Sequence, residues 1–222
     1  MKRLLMLGFF AALAFPQSPE AVLARLEKSL RSVQTLEARF IHTYFSAMVT
    51  TPLEEKGRLA FQKPDVMRWE YTEPEHNIYL YRGDRFEFYF PEDNQLMRGS
   101  ISEESHESLI LDLLTGKKNF AELYAASFNP FPTEHPENAQ IKLTPLDQDQ
   151  EGVSTILLEI DTNRWLIQRA VFVDWEGNKT EFAFSRIKIN HPLPKGVFDL
   201  KLPPGVEIIE RPPEKPFSSN PV

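Results

Sequence analysis

Residues Gly57–Tyr71 read GRLAFQKPDVMRWEY. Leu59 and Phe61 alternate with Arg58, Ala60 and Gln62. After Lys63-Pro64-Asp65, Met67, Trp69 and Tyr71 alternate with Arg68 and Glu70. A period of two sends successive side chains to opposite faces of a sheet, so the stretch predicts two strands joined by a tight corner. One face is large, aromatic and sulfur-bearing; the other is charged. A sheet with one greasy face has to cover it with helices, a second sheet or a ligand, and which of these applies decides both fold and function.

The same pattern extends in both directions. Upstream, Ser18-Pro19-Glu20 opens a helix, with an N-cap, a proline at the first helical position and an acid at the positive dipole end. Val22, Leu23, Leu26, Leu30 and Val33 then recur at helical spacing. Thr35–Tyr44 follows as a strand in which Leu36, Ala38 and Phe40 alternate with Glu37, Arg39 and Ile41, and 47–54 reads as a loop or a strand edge. Downstream, Ile78 and Leu80 mark a strand, Gly83-Asp84 a turn, and Phe86, Phe88 and Phe90 one side of the next strand. Gln95–Arg98 is a further short one. Closely spaced strands of this kind argue for an antiparallel meander and against βαβ units.

The period changes at 103–114, where Leu109, Ile110, Leu113 and Leu114 form a helical stripe ending at Gly116. Asn119 fits the cap of a short helix through Tyr124, and Pro130, Pro132 and Pro136 predict a loop over 127–138. Strands resume at 141–144, 154–161, 167–174 and 179–189. Val197–Leu202 reads as a short edge strand, and the chain beyond Arg211 as a disordered tail. No linker, repeat or composition break divides the chain, which predicts one domain over 15–211.

Met1-Lys2-Arg3, the apolar run Leu4–Ala14 and the Ala12-Leu13-Ala14 pattern have the order and proportions of a cleaved secretory signal over residues 1–14. The run is too short to span a bilayer. The net charge is −7 and no basic run exceeds Lys117-Lys118, which argues against nucleic acid as a partner. The chain has no cysteine, so disulfides, thiolate nucleophiles and Cys-ligated zinc are excluded.

Little else suggests chemistry. His42, His76, His106, His135 and His191 are scattered, none at metal-ligand spacing from another, and read as solvated surface histidines. His106 lies beside Ser105 and Glu107 on a helix, where adjacent positions do not face each other. There is no Gly-x-Ser-x-Gly elbow. Asp147, Asp149 and Glu151 begin a calcium-loop spacing without completing it. No cofactor fingerprint or metal site is expected. The aromatic face remains, and periodicity leaves two accounts of it open. It can be plain core, or it can line a cavity, because the side chains are uniformly large and few helices are available to cover so many strands.

Gly57, Leu59, Phe61, Lys63, Pro64, Met67, Trp69 and Pro74 together resemble the signature of the periplasmic lipoprotein carrier family, LolA. The resemblance continues through Arg82–Pro91, Leu113–Phe120, Leu143–Asp147, Asn190–Pro194, Phe198 and Pro203–Val206. It implies an α+β fold, an incomplete antiparallel β-barrel with about three helices as a lid over an apolar cavity. It implies a monomeric, non-enzymatic periplasmic carrier. Such a carrier takes acylated lipoproteins from an inner-membrane transporter and hands them to an outer-membrane acceptor. The expected acyl site is Phe40, Leu59, Phe61, Met67, Trp69, Tyr71, Ile78, Leu80, Phe86, Phe88, Ile110, Leu113 and Leu114. In the family an arginine before the corner proline holds the lid through helix carbonyls; here that position is Lys63, which lacks the planar fork. A lipid-binding or envelope-stress-sensing module of the same fold is the alternative.

Overall fold

The computed structural model describes residues 18–100, 106–147 and 152–211. The signal-like run, the start of the 103–114 helix, the Asp149 and Glu151 positions and the tail past Arg211 lie outside them. Helix α1 (Pro19–Ser32) begins as its sequence dictates, with the Ser18 side chain accepting a hydrogen bond from Ala21 N at 3.3 Å. It buries Val22, Leu23, Leu26 and Leu30.

The strands are β1 (Thr35–Phe45), β2 (Leu53–Gln62), β3 (Val66–Glu73), β4 (Asn77–Arg82), β5 (Arg85–Phe90) and β6 (Gln95–Ser100). After helices α2 (His106–Thr115) and α3 (Phe120–Leu123) come β7 (Tyr124–Phe128), β8 (Ala139–Pro145), β9 (Val153–Asp161), β10 (Leu166–Asp174), β11 (Lys179–Ile189) and β12 (Glu207–Arg211). All twelve form one sheet in the order β12-β6-β5-β4-β3-β2-β1-β11-β10-β9-β8-β7. Two meanders are thus joined along a seam between β1 and β11, where Phe40 stands opposite Phe184 and His42 opposite Phe182. The outer strands β12 and β7 do not meet, so the sheet is long and unclosed.

Register shifts at Glu37/Arg39, Lys56/Gly57 and Ile167/Arg169 bend it, as bulges do. All three helices contribute to one packed cluster with the concave face of the sheet.

Three expectations differ from what is seen. The helix after Asn119 stops at Leu123, and 124–128 extends as β7, because the prolines that bar regular structure begin only at Pro130. Val197–Leu202 is not a strand. Its carbonyls are taken by side chains, Phe198 O by the Arg82 guanidinium at 2.6 Å and Asp199 O by Arg68 at 3.4 Å, and the edge strand is instead β12, parallel to β6. The segment so held places Leu200 and Val206 against Ile78, Tyr89 and Leu96 on the convex face.

Ile78 and Leu80 therefore do not belong to the concave side. They stand opposite Glu70 and Arg68, while Tyr79 and Tyr81 stand opposite Trp69 and Met67. Strand β4 is apolar on both faces, so alternation within it could not reveal which set points inward.

Candidate functional site: an aromatic cavity under the helices

One end of the concave face is packed solid and the other is hollow. The hollow has a volume of about 550 Å³, within the range of about 300–1,000 Å³ usual for small-molecule sites. Its floor is Trp69 and Tyr71 from β3, Tyr79 and Tyr81 from β4, and Phe88 and Phe90 from β5. Phe172, Phe182 and Val153 form the facing wall, and Leu109, Ile110 and Leu111 of α2 cover it.

Four of the expected site residues, Trp69, Tyr71, Phe88 and Ile110, line this cavity. Phe40, Leu59, Phe61, Met67, Phe86, Leu113 and Leu114 belong instead to the packed cluster on the same side. They are core beneath and beside the hollow. Phe40 is the clearest case: its ring meets Trp69 and Tyr71 edge-on, each at 4.9 Å between centroids, and so fixes two floor residues. The Trp69 indole N–H also points at the Met67 sulfur, 3.1 Å away.

The cavity has a polar end that the sequence reading missed. His42 is not a surface histidine. Its ring stacks on Phe182 at 4.4 Å, and its Nδ1 lies 3.2 Å from the Tyr71 hydroxyl and 3.1 Å from Glu55 Oε2. Burial lowers its pKa to about 4, so it is neutral at pH 7. Burial, together with the nearby Glu75 charge, raises Glu55, and burial raises the Tyr71 hydroxyl, which stays protonated. A neutral His42 either accepts from Tyr71 or donates to Glu55 through the same nitrogen; it cannot do both. The signal was its parity, since His42 follows Leu36, Ala38 and Phe40 at steps of two on β1.

The helices are held together at the end of α1. The buried Glu27 carboxylate accepts hydrogen bonds from Phe120 N at 2.6 Å and Ala121 N at 3.2 Å. It replaces Asn119, whose side chain makes no capping bond, at the start of α3. Gly116 ends α2 with φ +64, and a Cβ there would meet Arg31 N at 3.1 Å. Lys63 Nζ donates to the Arg31 carbonyl in the last turn of α1, where a cation also suits the helix dipole. The corner lysine thus grips α1.

Among the described residues, no group of three or more His, Asp or Glu side chains is placed to hold a metal ion. No helix there is long and apolar enough to cross a membrane, which says nothing of strands.

Relatives by sequence are carriers by name. An outer-membrane lipoprotein carrier protein of Pseudoalteromonas translucida is 26% identical over 186 residues, 82% of this chain and 84% of the relative. That of Pseudomonas aeruginosa is 25% identical over 213 residues, 94% and 99% of the two chains. Among solved structures, an uncharacterised conserved protein of Thermus thermophilus superposes with a TM-score of 0.55 at 16% identity, covering 86% of this chain and 97% of that one. MucB in its complex with MucA from Pseudomonas aeruginosa gives 0.50 at 11%, covering 82% and 61%. Both likenesses are of fold alone. The model of outer membrane lipoprotein carrier protein LolA matches residues 31–201. The chain therefore belongs to the LolA family of outer membrane lipoprotein carrier proteins.

Proposed function

We propose that the protein is a periplasmic carrier that shelters the acyl chains of lipoproteins released from the inner membrane and delivers them to an outer-membrane acceptor. The observation that carries this reading is the hollow itself: an aromatic floor under an apolar helix face, left unfilled by the described residues while the rest of the concave side is packed. Each acyl methylene moved from water into such a surface contributes roughly 0.8 kcal/mol, so a chain of ordinary length is held strongly by burial alone. A surface of rings in edge-on and tilted contact adapts to chains of different shape, which suits capture followed by release. The signal-like Met1–Ala14 run supports export, and the family supports a non-enzymatic role. Lys63 is the latch in this reading: it holds α1, whose last turn packs on Gly116 at the end of α2, the helix that covers the hollow. The carrier works as a monomer and meets a transporter and an acceptor in turn.

The test is mass spectrometry of ligand co-purifying with protein exported from cells. Lipidated protein or acyl chains are expected on the wild type and lost from Trp69→Glu and Phe88→Glu variants that stay folded. Retention of ligand by both variants would sink the cavity as the site.

A further inference from the structure

Large apolar side chains also stand in water at one end of the sheet. Met48 is 93% exposed, Val49 60%, Leu53 55%, Trp175 54% and Phe45 38%. They come from the β1–β2 connection, with Phe45 and Leu53 at the strand ends that flank it, and from the β10–β11 turn. These are tied together by the Ala47 amide, which donates to Asn178 Oδ1 at 2.9 Å. Asn178 is itself fixed by Asp174, whose carboxylate accepts from its backbone N at 2.8 Å and its Nδ2 at 2.7 Å. The patch is therefore built, with the apolar β1–β2 loop and the turn that carries Trp175 held in one fixed relation.

Its chemistry selects the occupant. From Phe45 to Leu53 the sequence, FSAMVTTPL, holds no charged residue, so this loop offers no charge with which to align a protein partner. Behind it stands a collar of mixed sign, in which Lys56 pairs with Glu54 at 3.4 Å and Glu73 at 3.5 Å, with Glu176 and Lys179 exposed at the turn. A tryptophan beside aliphatic and thioether side chains, backed by such a collar, matches the gradient from hydrocarbon to headgroup. The tip is also continuous with the cavity: Tyr44 and Leu53 at its base line the hollow, as do Asp174 and Asn178.

We propose that the β1–β2 loop and the β10–β11 turn form a docking tip for a zwitterionic bilayer surface, seating the cavity mouth against the lipid. A chain could then pass between bilayer and hollow without crossing water; that purpose rests on the proposed carrier reading, whereas the docking does not. With no net attraction from the collar, binding depends on apolar burial and not on anionic lipid.

The experiment is co-flotation of the purified protein with phosphatidylcholine–phosphatidylethanolamine vesicles. Wild type is compared with Met48→Glu and Val49→Glu prepared identically, so that any contribution of residues 1–17 cancels. Wild type should float equally at low and high salt. Each variant should bind at least about tenfold more weakly, 1.4 kcal/mol being a factor of ten. Both should unfold at the wild-type midpoint and bind a fluorescent fatty acid normally without vesicles. Equal flotation of wild type and variants, no flotation, or a salt-sensitive interaction overturns the proposal. So does a wild-type dimer in sedimentation that Met48→Glu disperses, which would assign the patch to a second copy. Loss of fatty-acid binding by the wild type would instead sink the carrier reading and leave the docking result standing.

Discussion

The ring of Phe40 occupies the space where residue 57 has no side chain: a Cβ on Gly57 would lie 2.5 Å from Phe40 Cζ and closer still to the Glu70 carbonyl oxygen. That absence lets Phe40 lie over β2 and support Trp69 and Tyr71 on β3. Gly57→Ala should cost about 1–3 kcal/mol, the usual range for forced overpacking. Phe40→Ala is itself costly, so the comparison is a double-mutant cycle by denaturant titration: Gly57→Ala should cost less in a Phe40→Ala background than in the wild type, but still something, because the Glu70 carbonyl is backbone and cannot step aside. No cost at all in that background would show that the ring alone imposes the glycine.

Glu27 supplies the cap that α3 lacks. Replacing it with alanine leaves two amides, one of them buried, without a charged acceptor. Stability should fall by about 2–3 kcal/mol. Hydrogen exchange at Phe120 and Ala121 should accelerate ahead of exchange in β1 or β2. Uniform acceleration across the chain would mean that Glu27 supports the whole fold and not this junction.

At the corner, Lys63→Met removes the donor to Arg31 O but keeps the stem. Expected is a loss of about 1 kcal/mol, with faster exchange in the last turn of α1 and little change in β3. Lys63→Arg should restore protection, since a guanidinium donates to the same carbonyl. Failure of arginine to restore it would confine the role to the lysine's stem packing.

His42 gives the fold a pH dependence with a definite sign. Its folded pKa, about 4, lies below the ordinary value of 6.5. Between those values the unfolded chain binds the proton and the folded chain does not, so stability falls as pH drops from 6.5 towards 4, by up to about 3 kcal/mol. Glu55, whose pKa is raised, binds its proton more readily when folded and acts in the opposite direction. Denaturant midpoints between pH 7 and 4 should flatten in His42→Phe and steepen in Glu55→Gln. A wild-type profile unchanged by His42→Phe would show that other carboxylates set the slope.

What was legible in the sequence is what neighbours along the chain decide. Ser18-Pro19-Glu20 announces α1 because a cap acts within one turn. The face of Trp69 and Tyr71 follows from alternation and from a corner only three residues long. Glu27 was invisible because its partners, the amides of Phe120 and Ala121, come from a segment remote in sequence; beside Arg25, Lys28 and Arg31 it looks like one more charge on a solvated face. Ile78 misled for the same reason, since the segment that covers it, through Leu200 and Val206, arrives from the C-terminal part of the fold, and Leu80 shares its face. The division of the concave side into packed core and hollow depends on where α1 lies, and periodicity assigns a face without saying what stands above it.

The β1–β11 seam has a consequence for how the molecule comes into being. Trp69 and Tyr71 belong to the first meander, Phe172 and Phe182 to the second, and only the seam brings them face to face. While the first meander stands alone, its aromatic floor has no opposing wall. Contacts so remote in sequence are the slow ones to form. The vulnerable period of this protein is thus the interval between its two meanders, when rings destined for the hollow are exposed and prone to association. Substitutions along β1 or β11 that delay their pairing would lower yield before they altered the finished structure.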